Sequence, residues 1–338
     1  MSTDDDTLTR EGRAPAAGKG VNVRLDTTDL ALVAELQQDG RLPFETLASR
    51  VGLSRAAVRS RIQRMTAMGA IRITGVVHPH VREITARAHL SIHVDTPAAP
   101  LAGKLAALDS TETVTLTAGR FPLRAEVGGG DMDHLAEAIE RVRSLPGVRE
   151  VDPLIYTEVM RDPYQPSTRE PPRMALDDID GLLLAALERD GRSSFAELAT
   201  VVGLSPGAVR SRVLRMLEAS VVRVVALADP RSLGVPCAGG FALRCDSGGR
   251  HALDDIAQWP ELWFLGRCLG RADAIGHVAT GSAADLHALY ERVRALSGVH
   301  VTETWVDLEP VRYRYRIATA DAGGSAVARE RGGGPPAE

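Results

Sequence analysis

The 338-residue sequence predicts an α+β chain made of two copies of one unit, each a winged-helix-like helix-turn-helix head followed by a ferredoxin-like β-α-β-β-α-β domain. Three observations carry this. The stretch Ser54–Met65 (S-R-A-A-V-R-S-R-I-Q-R-M) returns as Ser205–Met216 (S-P-G-A-V-R-S-R-V-L-R-M), a shift of 151 residues, each time after Val-Gly-Leu. The same shift aligns Leu25–Gly75 with Leu176–Ala226 at 24 identical positions of 51, without insertion or deletion. Within each copy, helical apolar spacing gives way to strand-like alternation.

Residues 1–24 lack a periodic apolar face and are expected to be a disordered arm. The first head spans 25–77. Its first helix is expected over about Asp26–Gln38, with Leu32, Val33 and Leu36 inward and Asp39-Gly40 as its stop. A second helix covers Phe44–Arg50, and Val51-Gly52-Leu53 makes the tight turn into the third. Ser54 is placed to accept the free N–H groups of the third helix, and in the second copy Pro206 suits a first helical position. At 3.6 residues per turn, Val58, Ile62 and Met65 share one face, as do Val209, Val213 and Met216.

The opposite face carries Arg59, Ser60, Gln63 and Arg64, or Arg210, Ser211, Leu214 and Arg215, with Arg55 near the start. Arg61 and Arg212 fall on the boundary, where phosphate or intradomain contacts are expected. No acid appears in either helix before Glu218, so the i,i+4 pairing of a merely solvated helix is missing. An apolar back with an arginine-and-amide front suits a rod lying in a DNA major groove.

The β-rich Ile71–Val77 leads out of the head. In the sheet domain, 84–160, strands are expected at Ala88–Val94, Thr111–Thr117, Phe121–Val127 and Val148–Thr157, with helices at Leu101–Leu108 and Asp131–Ser144. A proline-rich linker, 161–175, precedes the second head (176–228), the second sheet domain (236–317) and a tail (318–338) expected to be disordered.

The composition narrows the function classes. A formal charge of −4 is no nucleic-acid signature by itself, so any basic surface is local. Leu25–Gly75 holds seven Arg against five acids and Leu176–Ala226 six against seven, which makes the first head the stronger phosphate binder. No run of about 18 apolar residues and no signal-like start occur, so a cytoplasmic protein without a membrane span is expected. Cys237, Cys245 and Cys268 read as small core residues. His78 and His80 flank a proline, and His89 and His93 share a strand face, but neither pair has a third ligand nearby in sequence. No metal site, no cofactor and no catalytic residue is therefore expected, and no Ser/His/Asp order or phosphate loop argues for an enzyme.

Each copy resembles a transcription regulator of the leucine-responsive/AsnC (Lrp/AsnC) family. The matching residues are Leu-Asp at 25 and 176, Asp-Gly-Arg at 39 and 190, Val-Gly-Leu-Ser at 51 and 202, and Val-Arg-Ser-Arg at 58 and 209. Asp229-Pro230 with Leu233-Gly234, Leu-Pro-Gly-Val at 145 and Leu-Ser-Gly-Val at 296 continue the pattern. The resemblance implies a DNA-binding head, a dimerising sheet domain and an amino acid or related small molecule as effector. It also implies pairing through the sheet domains, here as an intramolecular pseudo-dimer, with further homo-oligomers open. The tandem arrangement departs from the usual single copy.

In the family a turn of Gly, an aromatic and an Asp contributes to the effector site. Copy one reads Gly119-Arg120-Phe121-Pro122, without the Asp; copy two reads Gly270-Arg271-Ala272-Asp273, without the aromatic. Two expectations stand side by side: the sites have decayed, or one altered or composite site survives around Gly270, Arg271 and Asp273. Two other functions also fit the resemblance. One is a DNA-organising protein of low sequence preference. The other is a sirohaem decarboxylase, which needs cationic and His side chains around a tetrapyrrole.

Overall fold

The computed structural model describes residues 25–165, 172–228 and 232–312. The expected arm, the expected tail and Asp229-Pro230 lie outside the described residues, as does the middle of the linker.

Helix α1 (Thr27–Gln38) starts in a capping box: Asp26 accepts from the Asp29 N–H at 2.8 Å, while the Asp29 carboxylate receives the Asp26 N–H. Helix α2 (Phe44–Val51) ends at Gly52, whose φ of 68° turns the chain into α3 (Arg55–Ala67). Ser54 caps α3 through the Ala57 N–H at 3.2 Å. Val58, Ile62 and Met65 are buried against Leu32, Leu36 and Leu47, the expected apolar back. The strand β1 (Ile71–Val77) follows. In copy two the same order gives α6 (Asp178–Arg189), α7 (Phe195–Val202), α8 (Pro206–Glu218) and β6 (Val222–Ala228).

Neither head completes its core alone. β1 pairs antiparallel with β6, from Ile71 opposite Ala228 to Val77 opposite Val222. Val224, Ala226 and Ala228 pack into the core of the first head, and Val77 into that of the second. The strand after each third helix thus closes the other copy's core. Asp-Gly-Arg serves the same junction. Gly40 N–H donates to the Val224 carbonyl (2.8 Å) and Gly191 N–H to that of Ile73 (3.0 Å), an approach a Cβ would block. Arg41 donates to the carbonyls of Gly191 (2.7 Å) and Ser193 (3.0 Å), and Arg192 returns the contact to Gly40 and Leu42 (2.9 Å each).

The sheet domains follow the expected order. Copy one has β2 (Ala86–Val94), α4 (Ala98–Ala106), β3 (Thr111–Ala118), β4 (Leu123–Gly129), α5 (Met132–Arg143) and β5 (Val148–Arg161). Copy two has β7 (Cys237–Cys245), α9 (Gly249–Ile256), β8 (Leu262–Leu269), β9 (Ala274–Thr280), α10 (Ala283–Arg294) and β10 (Val299–Arg312). β5 continues four residues beyond its expected end because it pairs with β8 of the other copy, from Ile155 opposite Leu269 to Arg161 opposite Leu265. β10 pairs likewise with β3, and the eight strands close into a barrel, β10-β3-β4-β2-β5-β8-β9-β7. Closure leaves no free sheet edge between the copies. The helices cover the outside, over two apolar cores (Leu90, Ile92, Leu105, Leu135 and Val142; Leu243, Leu253, Leu265, Leu289 and Val293). The alternate residues of each strand point into the barrel.

Arg161, expected to open the linker, is the last residue of β5. Just beyond it, Tyr164 packs on Val76, Val225 and Leu227, and Arg223 binds the carbonyls of Pro163 (2.7 Å) and Gln37 (3.0 Å). The linker start is therefore seated on the β1–β6 ribbon. Of the cysteines only Cys268 is buried; Cys237 and Cys245 are half-buried, and all three are free thiols.

Candidate nucleic-acid interface and interior polar cluster

On α3, Arg55, Arg59, Ser60, Gln63 and Arg64 are exposed and Arg61 is half-buried; on α8, Arg210, Ser211 and Arg215 are exposed, with Arg212 and Leu214 half-buried. The cause is the same in both. Valine, isoleucine and methionine are drawn inward, so the intervening arginines are left facing water.

Arginines on these faces do two things. Arg61 donates to Asp26 (2.6 Å) and Asp29 (2.8 Å), and Arg212 to Asp177 (2.8 Å) and Asp180 (2.9 Å). Both therefore tie the third helix to the capping box of the first. The Arg61 hydrogen bond holds Asp26 below the usual carboxylate range; the Asp180 N–H, then Arg212, does so for Asp177. Arg64 also reaches Asp29, and Arg215 lies 3.7 Å from Asp180. Arg55, Arg59 and Arg210 make no ion pair among the described residues and extend toward solvent.

The two turns of the expected effector site sit on the opposite copy's last strand. Gly119 (φ 152°) lies against Trp305 of β10, and Gly270 (φ 143°) against Pro153 and Leu154 of β5. Arg120 stays exposed, with its guanidinium 5.1 Å from the Phe121 ring centroid. Phe121 is 1% exposed and lies against His93, Arg124 and Arg271. Arg271 is drawn in too, over the Phe121 ring (5.2 Å), pairing with Asp152 and with Glu303 (2.6 Å). Asp152 across the seam and Glu303 of its own copy hold it, which the turn sequence alone does not reveal. Of the six expected effector residues, Asp273 lines an open recess of ≈ 440 Å³, with Arg250, Arg267, Cys245 and Cys268. Its carboxylate already accepts from Arg244 (2.9 Å) and the Cys245 N–H (2.9 Å).

Inside the barrel lies a polar cluster drawn from both copies. Arg124 of β4 pairs with Glu303 of β10, donates to Ser91 (2.8 Å), approaches His89 Nε2 (3.2 Å) and stacks 3.6 Å from the Trp305 ring centroid. Burial lowers the Arg124 guanidinium to about 10, against the opposing pull of Glu303. Glu126 accepts from the Tyr156 hydroxyl (2.8 Å) and from Arg87 (3.3 Å). His89 and His277 face each other with ring centroids 5.7 Å apart, and burial pushes His277 down to about 4 and His89 well below its ordinary value. This meeting is not visible along the chain because the partners of His89 come from another strand and from the other copy. A signal was present. Under the 151-residue shift Glu126 aligns with His277, His89 with Gly240 and Arg124 with Ile275, replacements too drastic for a symmetric core.

Comparison with known proteins bears on the whole arrangement. The AsnC-type helix-turn-helix domain matches residues 25–66 and again 176–217. An HTH-type transcriptional regulator of Mycobacterium tuberculosis (Rv2324) is 36% identical over 138 residues, 39% of this chain and 92% of that protein. The HTH-type transcriptional regulator LysM of Sulfurisphaera tokodaii is 27% identical over 135 residues, 40% of this chain and 96% of its own. Among solved structures, the siroheme decarboxylase NirDL in complex with an iron-uroporphyrin III analogue superposes with a TM-score of 0.59. It covers 86% of this chain and 94% of that one at 16% identity, a likeness of fold.

Proposed function

This chain belongs to the Lrp/AsnC family of helix-turn-helix transcription regulators, and on that premise we propose that it binds duplex DNA sequence-specifically as a covalent pseudo-dimer. The supporting observation is the pair of exposed arginine faces on α3 and α8, carried by heads that share the β1–β6 ribbon and each other's cores. Arg55, Arg59, Ser60, Gln63 and Arg64 of α3, with Arg210, Ser211, Leu214 and Arg215 of α8, are the groove-facing set. Arg61 and Arg212 act by fixing the angle of the third helix, given their ion pairs within each head. Gln63 opposite Leu214 and Arg55 opposite Pro206 make the two readers unlike, so the operator is an imperfect palindrome.

Operator selection with the purified chain tests this. A bound site of two unequal half-sites about one helical turn (~34 Å) apart supports it. A perfectly symmetric operator overturns the inequality. A preference below ~10³ over random DNA at fixed salt favours a DNA-organising role instead. Arg59→Ala weakens binding more than Arg210→Ala, since the first head is the more basic.

An amino acid or related small molecule is the proposed effector. The Asp273 recess, with Arg250 and Arg267, offers the carboxylate and guanidinium groups a zwitterion needs. Titration calorimetry across the amino acids, repeated with Asp273→Ala, tests it; no heat with any ligand supports decayed sites. The absorption spectrum after mixing with sirohaem tests the enzyme reading, which the NirDL fold likeness keeps in view; a Soret shift favours it.

A further inference from the structure

The barrel interior is chemically one-sided. Copy one supplies Arg87, His89, Ser91, Arg124 and Glu126; the shift-related positions of copy two are Ala238, Gly240, Ala242, Ile275 and His277. Three of these side chains converge: one ligand atom each from His89, Glu126 and His277, all within 4.8 Å of one another. Two ring nitrogens in this group, His89 Nδ1 and His277 Nε2, are buried and have no hydrogen-bond partner. Unsatisfied buried polar atoms are costly, and two of them beside a carboxylate need an explanation.

We propose that His89, Glu126 and His277 hold one divalent transition-metal ion of the zinc class, bridging the two copies from inside the barrel. Two imidazole nitrogens and a carboxylate oxygen are a donor set that suits such ions and not calcium or magnesium. A second layer is in place: the Tyr156 hydroxyl and Arg87 orient Glu126, while Trp263, Phe264 and Trp305 surround the His277 ring at 5.2–5.6 Å between centroids. The electrostatics agree. Arg87, Arg124 and Arg271 face four carboxylates, Glu112, Glu126, Asp152 and Glu303, so the acids of the cluster outnumber its guanidinium groups. Coordination through His89 Nδ1 puts the ring proton on Nε2. Arg124 then gives up that contact and keeps Ser91 and Glu303.

Metal binding by the full chain, freed of any affinity tag and stripped with chelator, tests this. Dialysis against zinc followed by elemental analysis returns one ion per chain, and cobalt substitution produces visible d–d absorption. His89→Gln and His277→Gln each abolish both signals, and Glu126→Gln weakens them. Zinc raises the thermal midpoint of the wild-type chain and not that of the histidine variants. The far-ultraviolet circular dichroism and the urea midpoint of each variant without metal show that it is folded. A folded wild-type chain that retains no zinc and gives no cobalt spectrum overturns the proposal, and so do histidine variants that keep the full metal content. Neither result touches the DNA-binding reading.

Discussion

The Arg124–Glu303 pair offers the sharpest test of how the two copies are held together. Both side chains are buried, at 3% and 6% exposure, and they come from different copies. The contact exists once, because the shift-related mate of Arg124 is Ile275. In Glu303→Ala the Arg124 guanidinium keeps Ser91 and the Trp305 face but loses its paired carboxylate. Stranding a buried charge costs about 3–5 kcal/mol, and these residual contacts place the loss near the lower end, about 3 kcal/mol. That is roughly a hundredfold in the folding equilibrium. Arg271 loses Glu303 too but retains Asp152, so it is not stranded. Replacing both partners removes the charge problem. Arg124→Ile with Glu303→Ala therefore recovers most of the stability, and with Arg124→Ile alone as the fourth corner the variants form a cycle with a coupling of ~2 kcal/mol or more. Urea denaturation followed by tryptophan fluorescence reads this directly, since Trp259, Trp263 and Trp305 all lie in the second sheet domain. A Glu303→Ala loss below about 1 kcal/mol, or a double variant as unstable as the two singles summed, would refute the reasoning.

Three further outcomes follow from single features. Ser220 sits at φ 56° where copy one has Gly69 at φ 68°, so Ser220→Gly stabilises by about 0.5–1 kcal/mol in the same denaturation assay. Arg41→Ala removes two hydrogen bonds to copy-two carbonyls and the stacking on Phe195. It costs about 2 kcal/mol, and a two-half-site duplex loses affinity more than an isolated half-site, as fluorescence anisotropy shows. Asp26 and Asp177 are held below the ordinary carboxylate value of 3.8 in the folded chain, by the Arg61 hydrogen bond and by the Asp180 N–H. A depressed carboxylate contributes stability above its unfolded pKa and loses it as pH falls through the folded value. The head helices therefore weaken below about pH 4, and Asp26→Asn with Asp177→Asn flattens that acid limb in far-ultraviolet circular dichroism.

Much of this protein was legible in its residues. Ser54 and Ser205 as caps, Gly52 and Gly203 at the helix ends, and the Val58/Ile62/Met65 stripe are local features set by backbone geometry within a few positions. They placed the heads and the arginine faces without reference to anything distant, as strand-like alternation placed the order of the sheet domains. The 151-residue shift added that the two units are alike.

What the chain order could not supply is how the copies meet, because strand pairing and side-chain burial depend on residues far apart in sequence. Only the fold put β6 under the first head, extended β5 along β8, and closed eight strands into one barrel. Only that closure turned Phe121 and Arg271 inward, against each other and against Asp152 and Glu303. It also brought Glu126 beside its own repeat-mate His277, two positions that symmetry relates and chemistry separates.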